Sequence, residues 1–135
     1  MTVLTLDLGT STTKAALWSD GQLLDLTRAP IATRYPRPGW AEQDAEDWWT
    51  SVALATASLR DAQPAGYAEI TTIGCSGARE TFAPFDRRLR PLRAGILWSD
   101  ARATDQVDQF GDPVAFRARA LGARRSSPRR SPGRG

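Results

Sequence analysis

The chain has 135 residues, 41% of them hydrophobic and 24% charged, with a formal net charge of +3; this is enough sequence for one domain with a buried core, and it excludes a disordered chain. A single Cys and no His leave out a disulfide framework and a Cys/His zinc centre. No apolar run approaches the roughly 18 residues of a membrane span and the N-terminus lacks a signal-peptide layout, so the cytoplasm is the expected compartment, no membrane partner is expected, and Cys75 is expected to be buried and inert.

In chain order, Val3 to Leu8 and Thr13 to Trp18 are the first two predicted strands. Asp20-Gly21 in "SDGQ" suits a tight turn into a third strand, Gln22 to Thr27. The segment "RYPRPGW" is a Pro-rich loop. A helix then opens at "DAEDWW", where Asp44 can cap it and Glu46 and Asp47 sit favourably in the first turn. Trp48, Val52, Ala55 and Leu59 form a stripe that packs on the sheet. Pro64 and Gly66 end the helical region; "EITTIGCSG", "TFAPFD" and "AGILW" are predicted strands, and "DARATDQVDQF" a helix capped by Asp100. The alternation predicts an α/β domain that begins with antiparallel strands.

Charge divides the chain. Residues 1–116 carry 11 basic and 15 acidic side chains, whereas residues 117–135 carry seven Arg and no acid. The tail has too little apolar content to order itself and is expected to be disordered from Arg124, giving a domain over 1–123 and a basic tail over 124–135. Such a tail can hold nucleic acid or an acidic partner electrostatically. Arg, Ser, Pro and Gly are also what a shifted reading frame yields in a GC-rich gene, and one Lys against 17 Arg fits that bias. A tail without function is therefore preferred, and nucleic acid is not expected as a partner.

The stretch "VLTLDLGTSTTKAALW" carries the chemistry. Asp7, late in its strand, can reach a crevice and hold a hydrated Mg²⁺. Gly9 permits a tight reversal with room for a phosphate, Thr10, Ser11 and Thr12 offer hydroxyls and backbone N–H groups, and Lys14 adds a compact positive charge. No "GxxxxGK[ST]" is present, so this is no P-loop. A hairpin whose Gly, Thr and Ser merely satisfy a turn is the alternative reading of the same residues.

"LDLGTSTTKAALW" resembles the first phosphate-binding hairpin of the actin-like ATPase (ribonuclease H-like) superfamily. "PGWAEQDAEDWW", "IGCSGARETFAPFD" and "ILWSDARA" are similar, in order and spacing, to the N-terminal domain of the FGGY carbohydrate kinases. The resemblance implies an incomplete actin-like domain with a mixed sheet, and an ATP- and Mg²⁺-dependent transfer of the γ-phosphate to a sugar or polyol hydroxyl. It implies that Asp7 helps position Mg²⁺, that Gly9, Thr10 and Ser11 face the ATP phosphates, and that Lys14 is the basic residue after that loop. Arg79 and Glu80 match an Arg-Glu pair that holds substrate hydroxyls, one donating and the other accepting. Trp40 and Trp98 can supply an apolar wall, and Asp100 and Arg102 fall in the family's "W-x-D-x-R" segment, although core packing, a helix cap and an ion pair account for these residues equally well.

Two departures qualify the resemblance. Xylulokinase-like members usually have Met-His where this chain has Arg79-Glu80, which favours a glycerol-like, open-chain substrate. The similarity stops near Gly122, and the family's proton-accepting Asp and adenosine pocket lie in later segments, so no catalytic base is assigned. The sequence therefore reads as the N-terminal part of such a kinase, not competent alone. The alternative is a non-catalytic product or binding module acting through its Arg tail.

Overall fold

The computed structural model describes residues 1–109; the tail, its expected disorder and the boundary at residue 123 lie outside them. Met1–Ala101 form one compact unit. A second unit begins at Arg102, and within it a short helix, Thr104–Gln109, is considered by itself.

Alternation of apolar and polar residues produces the main sheet. Strands β1 (Thr2–Leu8), β2 (Thr12–Ser19) and β3 (Gln22–Pro30) form an antiparallel meander. After a two-residue strand β4 (Glu42–Gln43), helix α1 (Ala45–Ala62) and helix α2 (Pro64–Ala68), strand β5 (Ile70–Gly77) returns parallel to β1. The sheet order is β3-β2-β1-β5. A small second sheet pairs β4 with β6 (Gly95–Ile96), and the helix Thr104–Gln109 is α3.

Because side chains alternate across a strand, register fixes two faces. Leu4 pairs with Leu17 and Leu6 with Ala15, and this face meets Ala55 and Leu59 of α1 in the buried core. The other face carries Val3 beside Trp18, Thr5 beside Ala16 and Asp7 beside Lys14, with Trp18 Nε1 donating to Thr5 Oγ1 at 2.9 Å. Asp44 caps α1 as expected, accepting from the Glu46 N–H at 3.1 Å. The stripe Val52, Ala55 and Leu59 is buried, and Thr27 Oγ1 of β3 donates to the Ala55 carbonyl at 2.7 Å. The fully buried Leu59 is a site where truncation to Ala costs about 2–5 kcal/mol.

Several local expectations are corrected. Cys75 is exposed, not buried. Its partner in register is Leu6, so it lies on the α1 face, but α1 lies over β2 and β3, and β5 at the sheet edge leaves Cys75 and Ile73 uncovered. Pro64 opens α2 at its first turn instead of ending a helix, in keeping with the fixed φ and absent N–H of Pro at N1. Gly66 allows close approach, since a Cβ there would lie 3.0 Å from Leu17 Cδ2 and the leucine would have to shift by a few tenths of an ångström. "TFAPFD" is no continuous strand: Phe82 bridges Ile96 and Phe85 bridges Pro91 in isolation, and "AGILW" contributes only Gly95–Ile96. Asp100 does not cap a helix, because α3 starts at Thr104; its Oδ2 accepts from the Ala41 N–H at 2.7 Å. Among the described residues no helix is long and apolar enough to cross a membrane.

Candidate functional site

Parallel pairing of β1 with β5 brings the C-terminal ends of the two strands together, with Leu8 opposite Gly77. The Ala78 N–H donates to the Leu8 carbonyl at 3.0 Å, so the turn leaving β1 and the segment leaving β5 start as neighbours. Asp7, Gly9, Thr10, Arg79, Glu80 and Trp98 all line one open groove of about 480 Å³ at this end. Five of these residues come from the hairpin or the "GARET" segment, more than 70 positions apart in sequence at their extremes.

The turn is tightly held. The Gly9 N–H donates to the Thr12 carbonyl at 3.1 Å, and the Ser11 carbonyl accepts from the Ile31 N–H at 2.9 Å. Glycine at position 9 suits the close approach, since an added Cβ would stand 3.0 Å from the Thr12 carbonyl oxygen, tighter than ordinary contact. Thr10 Oγ1 accepts from Trp98 Nε1 at 3.1 Å, which ties the turn to the indole on the far wall of the groove. The Trp98 N–H is in turn 3.3 Å from Thr81 Oγ1.

Asp7 and Lys14 are cross-strand partners, and Lys14 Nζ donates to Asp7 Oδ2 at 3.0 Å. Both side chains are about half exposed, 48% for Asp7 and 45% for Lys14. An exposed pair of this kind contributes only about 0–1 kcal/mol, so it opens readily toward a charged ligand. Among the described residues no cluster of three or more His, Cys, Asp or Glu could cage a metal. One carboxylate beside a turn of donors nevertheless suits Mg²⁺, which takes most of its ligands from phosphates and water.

Arg79 and Glu80 are exposed, share the groove wall, and neither is held in an ion pair among the described residues. Glu80 has φ 62°, a left-handed conformation that costs an L residue with a Cβ about 1–2 kcal/mol. Ser11 and Thr12 continue the turn, with their carbonyls used internally, and they do not line the groove. Trp40 lies elsewhere, its ring 4.9 Å from the Arg37 guanidinium carbon, in a surface groove that also includes Ser99. Asp100 is outside the main groove as well.

Sequence reasoning missed the groups beneath the groove. A smaller recess of about 140 Å³ lies there, walled by Leu8, Ile31, Trp48 and Leu97, with Gln43 at its side. Gln43 is 2% exposed, and Thr13 Oγ1 meets Ser51 Oγ in a buried contact of 2.6 Å. Nothing in "WAEQDA" distinguishes Gln43 from a surface Gln. A polar residue at Ser51, on the same helical face as Val52 and Ala55, was the available signal for the second pair.

The sequence profile of the FGGY family of carbohydrate kinases, N-terminal domain, matches residues 2–119. A glycerol kinase of Dechloromonas aromatica (strain RCB) is 37% identical over 123 residues, 87% of this chain and 24% of that protein. Among solved structures, a xyloylose kinase from Brucella ovis superposes with TM-score 0.83 at 35% identity, over 87% of this chain and 25% of that one. A xylulose kinase from Rhodospirillum rubrum gives TM-score 0.80 at 29% identity, again over 87% and 25%. The chain thus spans about a quarter of the length of the curated relatives it matches.

Proposed function

Since the chain belongs to the FGGY family of carbohydrate kinases, we propose that its groove is the N-terminal share of a site where the γ-phosphate of ATP passes to a hydroxyl of a sugar or polyol. The observation that carries this is the shared groove: the hairpin residues and the Arg-Glu pair, distant in sequence, line one cleft at the common end of β1 and β5. On this reading Asp7 orients Mg²⁺, Gly9 and Thr10 face the phosphates, Lys14 adds positive charge through its pair with Asp7 behind the groove lining, and Arg79 and Glu80 grip adjacent hydroxyls, with Trp98 against their C–H face. Mg²⁺ supplies charge neutralisation for the transferring phosphoryl group. The protein's part is positioning, which can contribute much of the barrier reduction for transfer between two bound groups.

An open-chain polyol such as glycerol is the favoured acceptor. Arg79 and Glu80 offer a donor fork and a bidentate acceptor on one wall, which suits vicinal hydroxyls, and the glycerol kinase relatives point the same way. An ATP-consuming reaction of this kind fits the cytoplasm, where ATP is supplied. The resemblance implies that the family's general base and adenosine pocket lie outside the matched residues 2–119, so the groove residues are read as binding groups and none as the proton acceptor.

Calorimetry on the 135-residue chain tests this. Mg-ADP is expected to bind weakly, with affinity that falls about tenfold in Asp7→Asn, corresponding to loss of one charge-assisted contact. Arg79→Ala is expected to weaken glycerol and spare Mg-ADP. With Mg-ATP and a panel of polyols and sugars, the chain alone is expected to release no ADP. Acceptor-dependent release that vanishes in Asp7→Ala would show a complete enzyme and refute the partial-site reading; equal loss of both ligands in Arg79→Ala would refute the substrate role.

A further inference from the structure

The side-chain amide of Gln43 is a buried junction of four segments. Its Nε2 donates to the Thr10 carbonyl at 2.6 Å and to Thr33 Oγ1 at 2.9 Å. Its Oε1 accepts from Trp48 Nε1 at 2.8 Å. Both amide hydrogens and the amide oxygen therefore have partners, at a residue 2% exposed. The partners lie in the β1–β2 turn, the segment after β3, and the first turns of α1, while Gln43 itself stands in β4. Trp48 cannot easily give way, because its ring packs against Gly95 so closely that a Cβ there would be 2.6 Å from Cη2.

We infer that Gln43 is the positioning residue of the phosphate-facing turn: its amide pulls the Thr10 carbonyl inward and so keeps that acceptor away from the groove. The functional meaning rests on the phosphate reading above. A carbonyl oxygen turned into the groove would repel a phosphate, whereas the same oxygen held by a buried donor leaves the Thr10 hydroxyl and Trp98 on the groove wall. Two further bonds show that this one is not redundant. Gly9 N–H to Thr12 and Ile31 N–H to Ser11 hold the flanks of the turn, but among the described residues the Thr10 carbonyl at its apex accepts from no backbone N–H, only from the Gln43 amide.

Native-state amide exchange on the full chain tests the assignment. In Gln43→Met, which keeps length and apolar volume, the Gly9 and Ile31 amides are expected to exchange roughly tenfold faster, as loss of one buried bond allows, while Leu17, in the centre of β2, keeps its wild-type rate. Thr33→Val removes Gln43's other acceptor and keeps the Thr10 bond; it is expected to leave Gly9 within about twofold of wild type. If Gln43→Met fails to fold, Trp48→Phe serves, since it frees the amide oxygen and is expected to accelerate Gly9 by a smaller factor. Wild-type rates at Gly9 and Ile31 in Gln43→Met with Leu17 protected, or in Trp48→Phe where the first variant is unfolded, would overturn the assignment. Mg-ADP affinity is a separate arm: a fall in step with the amide rates supports the role, and unchanged affinity despite faster exchange refutes it. A wild-type chain that binds no Mg-ADP overturns the phosphate reading, and the amide rates then decide by themselves whether Gln43 holds the turn.

Discussion

The buried hydroxyl pair between β2 and α1 gives an ordered prediction. Thr13 is 0% and Ser51 1% exposed, and their oxygens are 2.6 Å apart. Ser51 Oγ also donates to the Trp48 carbonyl at 2.8 Å, which uses its single hydrogen, so Thr13 must be the donor in the pair. Ser51→Ala then strands a buried O–H with no other partner, a loss of about 1–3 kcal/mol. Thr13→Val leaves Ser51 still donating to Trp48 and removes only an incoming bond, a loss of about 1 kcal/mol or less. The double variant has no stranded donor and is expected to be no less stable than Ser51→Ala alone, a non-additive result for residues in contact. Urea unfolding with an unchanged m-value reads the three differences. If Thr13→Val proves costlier than Ser51→Ala, or if the two losses simply add, the donor assignment and the account of this contact are wrong.

Three other outcomes are expected. Gly95→Ala places a Cβ 2.6 Å and 2.7 Å from the Trp48 ring, and overpacking of this kind lowers stability by about 1–3 kcal/mol, measurable as a reduced thermal midpoint. Glu80→Gly relieves the positive φ at that position, so stability holds or rises by up to about 1 kcal/mol while glycerol binding is lost; a loss of stability would show that Glu80 is a structural residue. Cys75, being exposed, reacts with an aromatic disulfide reagent in the native chain at a rate near that of a small thiol, and a rate that rises only on unfolding would place it in the interior.

Most of the sheet was legible because its faces are sharply different. Leu4, Leu6, Ala15 and Leu17 alternate with Thr5, Asp7, Lys14 and Trp18, so strand type follows from a period of two, which fixes the faces but not the pairing register. Asp44 and the Val52, Ala55, Leu59 stripe were equally readable, since a cap and a helical period are local signals. Residues 81–97 were not. Their pairing rests on single bridges such as Phe82 with Ile96, which short apolar runs mimic without forming strands. Cys75 misled because a period of two says which face a residue is on, but not whether a helix reaches that far. Of the residues that line the groove, Asp7, Gly9 and Thr10 were singled out from residue type and spacing, and Arg79, Glu80 and Trp98 from the family resemblance, because each belongs to a local motif; their roles are proposals. Gln43 was invisible because its importance comes from three partners distant in sequence or set by the turn around it.

The adjacency of β1 and β5 also acts as a ruler. Neighbouring strands stand about 4.8 Å apart, and the Gly9 turn and the Arg79-Glu80 pair, which we propose face phosphate and acceptor hydroxyls, each hang from the end of one of them. On the proposed function, the separation between phosphate and acceptor contacts would be inherited from backbone pairing, and acceptor choice would sit in the few residues after Gly77. Residues such as Arg79 and Glu80 can be exchanged without resetting that spacing. On that proposal, local substitution after Gly77 changes the groups offered to an acceptor while the β1–β5 spacing stays unaltered.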